Sequence, residues 1–416
     1  MSEWRASTWG EEISLEYGKA LRDYDKASGK YRVFGSNGPI GWTDKPLASG
    51  PGVILGRKGA YRGIEFSRAP FFVIDTAYYV VPKSEFDMRW LYYAIKYHKL
   101  GEIDDGSPIP STTRSAVYVR DFDVPPLAEQ KAIAAVLGAL DDKIELNQRM
   151  NATLEAMARA LFQSWFVDFD PVRAKLDGRP PAALDPATAA LFPDSFQDSS
   201  IGPIPHGWTV GTIEDATSLI IDYRGRTPKK LGSDWSSTGI PAVSAKNVKG
   251  GRLVRPDMFN FVSEELYERW MKDKLALGDI LMTSEAPLGE LYYLALDARF
   301  CLSQRIFAMR ANPAVCESAF LYYWLESPAC QTDIINRGTG TTVEGIRQSE
   351  LRRVSVLLPP LPIQKAAATF LGAWTEQVHR NEEQSRTLAT LRDSLLPKLL
   401  SVELSVDGKQ PSGVAG

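Results

Sequence analysis

Val124-Pro-Pro-Leu-Ala-Glu-Gln-Lys-Ala-Ile-Ala-Ala-Val-Leu-Gly138 recurs 234 residues later as Leu358-Pro-Pro-Leu-Pro-Ile-Gln-Lys-Ala-Ala-Ala-Thr-Phe-Leu-Gly372. The same shift continues without a gap beyond these stretches, so that Asn147 matches Asn381. Self-similarity at a fixed shift is typical of a chain that contains one structural unit twice. The chain is therefore predicted to consist of two related halves.

The match is looser upstream of the two stretches, but its order is kept. Trp90-Leu-Tyr-Tyr93 corresponds to Phe320-Leu-Tyr-Tyr323, and Gly52-Val-Ile-Leu55 corresponds to Gly278-Asp-Ile-Leu281. Each half is thus predicted to have a variable N-terminal part, which we call the front, and a constant C-terminal part, which we call the back.

The constant back predicts a long helix. The Pro-Pro pairs favour a helix start, since proline suits the first turn and keeps the preceding residue extended. Seam positions then recur at alternating steps of four and three, a period of 3.5 residues that is typical of a coiled coil. One helix over Leu127–Phe166 would be about 60 Å long. Pro397 is expected to end or kink the second helix early. The seam positions are Ile133, Leu137, Leu140, Ile144, Asn147, Asn151, Leu154, Ala158, Leu161 and Trp165, and then Ala367, Leu371, Trp374, Val378, Asn381, Ser385, Leu388, Arg392, Leu395 and Leu399.

Each predicted seam carries an asparagine at its midpoint. An antiparallel pair of repeated helices would bring Asn147 close to Asn381, and a polar seam residue fixes register at some loss of stability. One hypothesis is that this pair sets the helix register. The alternative is that both amides face solvent.

The fronts indicate a mixed α/β (α+β) fold. Strand-like runs are Gly52–Leu55, Phe71–Val81, Gly278–Thr283 and Phe300–Met309, whereas Trp90–Lys99 and Ala319–Ser327 indicate short helices whose aromatic residues belong to the core. The residues after the first helix are rich in Pro, Ala and Asp, and this composition favours an extended connector. The predicted order is a first domain (1–124), a long helix (125–166), a connector (167–204), a second domain (205–358), a second long helix (359–400) and a C-terminal tail (401–416).

Composition excludes several classes of protein. A net charge of −3 and a pI near 5.8 argue against a protein that coats nucleic acid nonspecifically. Charge is nevertheless segregated, because residues 19–68 and residues 222–256 each have a local charge of +6. The start of the chain lacks signal-peptide character, and no apolar run is long enough to span a bilayer. The three cysteines form no CxxC pair, which favours free thiols in a reducing cytoplasm.

Catalytic motifs were sought and not found. The sequence contains no [Asn/Asp/Ser]-Pro-Pro-[Tyr/Phe] tetrapeptide of amino-methyltransferases and no GxxxxGK phosphate loop. Its three histidines are too scattered for a metal site or a catalytic triad. Glu129-Gln-Lys131 resembles a nuclease fragment, but the second copy has Ile363 in place of the carboxylate. Neither catalysis, a metal nor a cofactor is therefore predicted.

The arrangement resembles the specificity subunit of type I restriction–modification systems over essentially the full length. The resemblance rests on the two Pro-Pro-Leu-x-x-Gln-Lys motifs at 125–131 and 359–365. It rests also on Leu191-Phe-Pro-Asp leading to Ile204-Pro-His-Gly-Trp208. Ile363 departs from the Glu that the family usually has, which puts identical partner contacts at the second helix in doubt.

The resemblance implies two globular target-recognition domains separated by a pair of long antiparallel coiled-coil helices. Each domain would read one half of a split, asymmetric site in double-stranded DNA, and the helices would set the unread spacer. Two modification subunits would dock on the helices and supply S-adenosylmethionine chemistry on adenine. Restriction subunits would add ATP-driven translocation and cleavage. The chain itself would direct this chemistry and perform none of it.

Polar or basic loops bounded by glycine are the candidate DNA contacts, since glycine allows a partner to approach the backbone closely. Each candidate side chain has the alternative of simple solvent exposure or a local hydrogen bond. The candidates are Asn37, Arg57, Lys58, Tyr61, Arg62, Thr112, Thr113 and Arg114 in the first domain, and Arg224, Arg226, Lys229, Lys246, Asn247, Arg252, Thr341, Thr342 and Arg347 in the second.

Two other functions stay open at this point. A self-sufficient DNA methyltransferase or nuclease would require a catalytic motif. A coiled-coil scaffold whose domains do not read DNA would need no basic face, and the two +6 segments speak against it.

Overall fold

The computed structural model describes residues 4–24, 29–104, 106, 108–340, 344–401 and 403–404. The chain divides into two compact units. Unit 1 comprises residues 1–146 and 384–416, and unit 2 comprises residues 147–383. Each unit therefore contains parts of the chain that are distant in sequence.

Unit 1 is built on two sheets. A four-stranded antiparallel sheet has the order β2-β8-β5-β6, and a three-stranded sheet has the order β4-β3-β7, in which β3 pairs parallel with β7. Strands β1 and β9 pair with each other, which places the start of the chain beside the strand that leads into the first long helix. The elements are β1 (Arg5–Thr8), α1 (Trp9–Glu12), β2 (Ile13–Tyr17), β3 (Tyr31–Gly35), β4 (Gly38–Thr43), β5 (Gly52–Gly56), β6 (Ile64–Ser67), β7 (Phe71–Val73), β8 (Ala77–Pro82), α2 (Met88–Tyr97), α3 (Arg114–Tyr118), β9 (Asp121–Val124) and α4 (Leu127–Phe166).

Unit 2 repeats this topology. Its four-stranded sheet has the order β13-β21-β18-β19, its three-stranded sheet the order β17-β14-β20, and β12 pairs with β22 as β1 pairs with β9. The short hairpins β10–β11 and β15–β16 are additions. The elements are α5 (Asp170–Leu176), α6 (Pro186–Ala190), β10 (Phe196–Gln197), β11 (Ile204–Pro205), β12 (Thr209–Thr212), α7 (Ile213–Ala216), β13 (Thr217–Asp222), β14 (Ile240–Val243), β15 (Val248–Lys249), β16 (Arg252–Leu253), β17 (Asn260–Val262), α8 (Glu264–Trp270), β18 (Ile280–Ser284), β19 (Leu288–Tyr293), β20 (Cys301–Leu302), β21 (Ile306–Ala311), α9 (Ser318–Glu326), α10 (Pro328–Asn336), α11 (Gln348–Leu351), β22 (Ser355–Leu358) and α12 (Leu361–Leu400).

Two predicted strands are each divided in the structure. The run Phe71–Val81 forms β7 and β8, and the run Phe300–Met309 forms β20 and β21. In both cases the first piece pairs with the three-stranded sheet and the second with the four-stranded sheet. Only short polar stretches, Asp75-Thr76 and Ser303-Gln304-Arg305, separate the two pieces of each run, and so short an interruption between buried apolar residues did not mark the division.

The long helices α4 and α12 confirm the predicted coiled-coil pair, and they run antiparallel. In unit 2 the Asn151 Nδ2 donates to the Val378 carbonyl at 3.2 Å, and in unit 1 the Arg392 guanidinium contacts Asp141 at 2.6 Å. Every predicted seam residue is buried or half-buried. The expected early end at Pro397 is wrong, since α12 continues through this proline to Leu400.

A buried glutamine joins the first turn of each long helix to the domain beside it. Gln130 donates from Nε2 to the Pro125 carbonyl at 2.9 Å, and its Oε1 accepts from the Asp87 amide at 3.0 Å. Asp87 is the N-cap residue of α2. The glutamine of the repeated Gln-Lys motif is thus explained by hydrogen bonds that join the helix start to the domain.

The second copy makes the same connection. Gln364 donates to the Pro359 carbonyl at 2.6 Å and accepts from the amide of Glu317, the N-cap residue of α9, at 3.0 Å. The neighbouring Ile363 is buried in the core of unit 2. An apolar residue therefore suits this position, where the first copy has Glu129.

The connector is not extended, contrary to the prediction. It contains α5, α6 and the hairpin β10–β11, and its residues Val172, Phe192 and Ile204 are buried in the core of unit 2. Burial of these apolar side chains stabilises a folded path at about 1.5–3 kcal/mol each. The polar and proline residues that suggested an open chain lie between these anchors.

Replacing Gln364 by alanine is expected to lower the free energy of unfolding by about 1–3 kcal/mol, because the Glu317 amide and two carbonyls lose a buried partner. Urea denaturation of the full chain measures the effect. Gln148→Ala, at an exposed position of α4, is the matched control. A midpoint for Gln364→Ala equal to that of the control would contradict the role of this amide.

Candidate nucleic-acid interface

The structure brings together the three glycine-bounded loops that the sequence singles out in unit 1. The Lys58 amide donates to Ser36 Oγ at 3.1 Å, and the Thr112 amide donates to the Arg57 carbonyl at 2.9 Å. The Gly59 amide also donates to the Pro110 carbonyl at 3.0 Å. Residues 36–38, 57–62 and 111–114 therefore form one continuous surface.

Two arginines of this surface lie over the same aromatic ring. The guanidinium of Arg57 is 5.0 Å from the centroid of Tyr17, and that of Arg114 is 4.2 Å from it. Arg114 also lies 3.6 Å from Glu16. Burial, together with a hydrogen bond to Tyr17, raises the pKa of the Tyr78 phenol, which keeps this neighbouring ring neutral. Both cations are thus held in place beside an uncharged aromatic face.

The other candidates of unit 1 differ in solvent exposure and in their hydrogen bonds within the protein. Asn37, Lys58 and Tyr61 are exposed, and Tyr61 has 80% of its surface accessible. Arg62 is engaged within the protein, since it donates to the carbonyls of Gly59, Gly101 and Ile103. Thr112 is fully buried, and Thr113 caps α3. The exposed residues and the two stacked arginines are therefore the side chains best placed to meet a ligand.

In unit 2, Arg224 and Arg226 are both anchored by the protein. Arg224 makes two hydrogen bonds of 2.9 Å to the carboxylate of Asp222 and lies 4.0 Å from the ring centroid of Phe307. Arg226 donates to the Trp270 carbonyl and stacks on Tyr223 at 4.3 Å. Both guanidinium groups are therefore held in fixed positions.

The remaining candidates of unit 2 do not form one group. Lys229, Lys246 and Arg347 are exposed. Asn247 is fully buried and accepts a hydrogen bond from Ser244 at 2.9 Å. Thr341 and Thr342 lie outside the described residues.

Arg252 contacts the helix pair. It lies on β16 and forms ion pairs with Glu155 of α4, at 2.6 Å, and with Glu382 of α12. These contacts join the added hairpin of unit 2 to both long helices, so this guanidinium already has two carboxylate partners.

Both units have an equivalent region at the ends of their strands, which we name the strand-end corner. It is formed by the end of β2 or β13, the end of β5 or β18, the start of β8 or β21, and the start of α3 or α11. The same backbone hydrogen bonds build it twice. In unit 1 the Thr112 amide donates to the Arg57 carbonyl, and in unit 2 the Ile346 amide donates to the Ser284 carbonyl, each at 2.9 Å.

The corner of unit 2 is a cleft of about 670 Å³. Sequence reasoning found Arg224 and Arg347 but missed three lining residues, Ser284, Gln304 and Arg305. Ser284 ends the buried strand β18, and Gln304 and Arg305 precede the buried strand β21, so the loop criterion selected none of them. Aligning the two halves through their backbone hydrogen bonds identifies Ser284, which corresponds to the candidate Arg57. Gln304 and Arg305 correspond to Asp75 and Thr76, which were not candidates.

The two midpoint asparagines lie inside the helix pair of unit 2. Asn147 donates from Nδ2 to the Asn381 carbonyl at 3.2 Å, and Asn381 donates from Nδ2 to Asn151 Oδ1 at 2.8 Å. All three side chains are buried. The amides therefore face each other within the seam instead of facing solvent.

The described part of the chain contains neither a membrane-spanning helix nor a candidate metal centre. No helix there is both long and apolar enough to cross a membrane. Among the same residues, no group of three or more His, Cys, Asp or Glu side chains is placed to hold a metal ion.

Comparison with known proteins gives consistent matches. The model of the type I restriction modification DNA specificity domain matches residues 1–156 and 205–388. The MjaIX specificity subunit of Methanocaldococcus jannaschii is 25% identical over 333 residues, which are 79% of this chain and 72% of that protein. The HindI specificity subunit of Haemophilus influenzae is 25% identical over 377 residues, covering 80% of each chain.

A solved structure shares the fold. The crystal structure of the S subunit of the type I restriction–modification system from M. genitalium aligns with a TM-score of 0.65 and 17% identity, covering 95% of this chain and 96% of that one. The family model matches both halves of the chain, each with a strand-end corner and one long helix. The chain belongs to the type I restriction–modification DNA specificity family.

Proposed function

We propose that this chain is the sequence-specific DNA-binding subunit of a type I restriction–modification complex and that it performs no catalysis itself. Each unit reads one half of a split site through its strand-end corner. The observation that carries the proposal is that the strand-end corners of both units share the same backbone hydrogen bonds but carry different polar side chains. Arg57 and Lys58 in unit 1 correspond to Ser284 and Glu285 in unit 2.

Different side chains on the same frame are what reading two different half-sites requires. Backbone phosphates are alike in every sequence, and contacts to them position a protein without carrying sequence information. Base edges differ in their donors and acceptors, so the residues that read them must differ as well. The shared frame explains how both units approach DNA, and the exchanged side chains explain an asymmetric site.

The helix pair has two sides with different roles. With Leu137 and Leu371 at heptad position a, the domain of each unit contacts residues at position e. In unit 1 the Tyr93 hydroxyl donates to Asp141 at 2.5 Å, and in unit 2 Tyr323 and Thr375 lie 2.9 Å apart. The e side is therefore occupied by each unit's own domain.

The other side of the helix pair, formed by residues at heptad position g, exposes apolar residues at equivalent positions of both repeats. Val136 and Phe370 are 37% and 46% exposed, and Met157 and Leu391 are 45% and 44% exposed. Unit 1 contains Val136 and Leu391, and unit 2 contains Met157 and Phe370. An apolar patch that is present once in each unit supports one docking place per unit for the same partner. We assign these patches to two modification subunits.

Three further parts of the proposal rest on the family resemblance and on the seam. Asn147 and Asn381 set the register of the helix pair, since any slip would leave buried amides without partners. The pair in turn sets the length of the unread spacer. Restriction subunits join the same complex, in the cytoplasm.

Arg57→Ala is expected to weaken DNA binding by the complex with its modification subunits. The guanidinium of Arg57 has no hydrogen-bond partner among the described residues, so its charge is available to DNA. If it neutralises a phosphate, the slope of log affinity against log salt falls by about one. Electrophoretic mobility shifts at several salt concentrations measure both quantities.

The control for this experiment is Arg120→Ala, an exposed arginine beyond the opposite end of α3. Affinity and salt dependence of Arg57→Ala that equal those of the control would remove Arg57 from the interface. A wild-type complex that prefers no DNA sequence would overturn the proposed function itself.

Met157→Glu with Phe370→Glu is expected to reduce the number of modification subunits bound per chain from two to one, because a carboxylate in an apolar contact must be desolvated. Val136→Glu with Leu391→Glu should have the same effect through the patch of unit 1. Native mass spectrometry of the complex counts the subunits.

Leu146→Glu is the matched control for the docking variants. Leu146 is an exposed leucine of α4 at heptad position c, and its counterpart in the second repeat is Arg380. Two modification subunits bound to both double variants, as to the control, would show that the partners dock elsewhere.

A further inference from the structure

We propose that the cleft at the strand-end corner of unit 2 reads base edges, and that Gln304 and Arg347 are its specificity-determining residues. This inference rests on the proposed function, and it names the side chains through which one half-site is read. Neither the loop criterion nor the family match selects Gln304.

The charges of the cleft favour a base edge over a bare phosphate. Among the described residues, its lining contains three guanidinium groups and two carboxylates. Carboxylates repel a phosphate, whereas a base edge offers both donors and acceptors and can be matched by a mixed lining. The charged lining residues are Asp222, Arg224, Glu285, Arg305 and Arg347.

Most of these charges are already paired. Arg224 is bound by Asp222 through two hydrogen bonds of 2.9 Å, and Arg305 lies 3.0 Å from Glu285. These two ion pairs line the cleft, and each guanidinium is held in place by a carboxylate of the same cleft.

Among the described residues, four polar side chains of the cleft are not used in this way: Ser284, Gln304, Thr339 and Arg347. Gln304 and Arg347 are exposed, and their side chains have no hydrogen-bond partner among the described residues. Ser284 is only 1% exposed, and its Oγ has no partner within the same described part of the chain. A buried hydroxyl without a partner is unfavourable, so it is suited to a polar group that enters the cleft.

The chemistry of the two free side chains matches the major-groove edges of purines. A guanidinium donates two hydrogen bonds to O6 and N7 of guanine, and a glutamine amide pairs with N6 and N7 of adenine. Both side chains lie on a rigid frame, since Arg347 is the N-cap residue of α11 and Gln304 precedes β21. The cleft thus presents purine-reading groups on fixed backbone positions.

Unit 1 has different side chains at the positions equivalent to Gln304 and Arg347. The Arg57 amide donates to the Thr76 carbonyl as the Ser284 amide donates to the Arg305 carbonyl. Asp75, the residue before Thr76, therefore takes the place of Gln304, the residue before Arg305. Thr113 takes the place of Arg347, as each is the N-cap residue of its short helix. Substitutions in the cleft should therefore change one half-site and leave the other as it is.

The experiment is selection of bound sequences from a random DNA library by the full complex with its modification subunits. Gln304→Ala and Arg347→Ala are each expected to relax the preference at a base position of one half-site by about tenfold or more. Gln304→Ala should leave the salt dependence of binding unchanged, because no charge is removed. Arg347→Lys should also lose preference, since an ammonium cannot make the paired contact.

Arg353→Ala is the matched control, as Arg353 is an exposed arginine of the same segment that does not line the cleft. The inference is overturned if both cleft variants select the wild-type sequence. It is equally overturned if affinity falls uniformly on all sequences, which is the behaviour of phosphate contacts. A wild-type complex that selects no sequence would instead overturn the proposed function.

Discussion

The buried glutamine in the first turn of each long helix is the interaction on which the rest of the structure depends. Gln130 and Gln364 satisfy a carbonyl of their own helix start and the N-cap amide of a domain helix, α2 or α9. A carbonyl and an amide buried together need such a partner. Each domain is thereby fixed to a helix at one defined point, and the Pro-Pro-Leu-x-x-Gln-Lys motif is kept in both halves.

The division of the helix surface follows from this attachment. Because each domain is held at the helix start, its aromatic helix lies against the e side, where Tyr93 meets Asp141 and Tyr323 meets Thr375. The g side is left exposed with an apolar residue at matching positions of both repeats. Variation in the corners that we propose to read DNA can then occur without disturbing the proposed partner contacts, since the two proposed functions use different surfaces.

The first long helix could be predicted from sequence to the residue, whereas the end of the second helix and the details of the fronts could not. A 3.5-residue period and a proline start report directly on helix geometry, so α4 was predicted with its bounds Leu127–Phe166. Phe71–Val81 was predicted as one strand because only the short polar stretch Asp75-Thr76 separates its two buried apolar pieces. The connector was predicted as extended because its few buried anchors, such as Phe192, are outnumbered by polar and proline residues.

Site residues were predictable only in part, for a related reason. Two glycine-bounded loops of unit 1, 57–62 and 111–114, lie at the strand-end corner, and the loop 36–38 contacts them through Ser36. The same criterion could not distinguish a free cation from one such as Arg252, whose carboxylate partners are distant in sequence. It could not find Gln304 either, because only the folded sheet places this residue beside Arg347.

The most direct test of the central claim, that this chain gives the complex its DNA sequence specificity, is a genome-wide map of methylated adenines in cells with and without this gene. The account predicts one split, asymmetric sequence that is methylated only in cells that carry the gene. Identical maps in the two kinds of cell would contradict it.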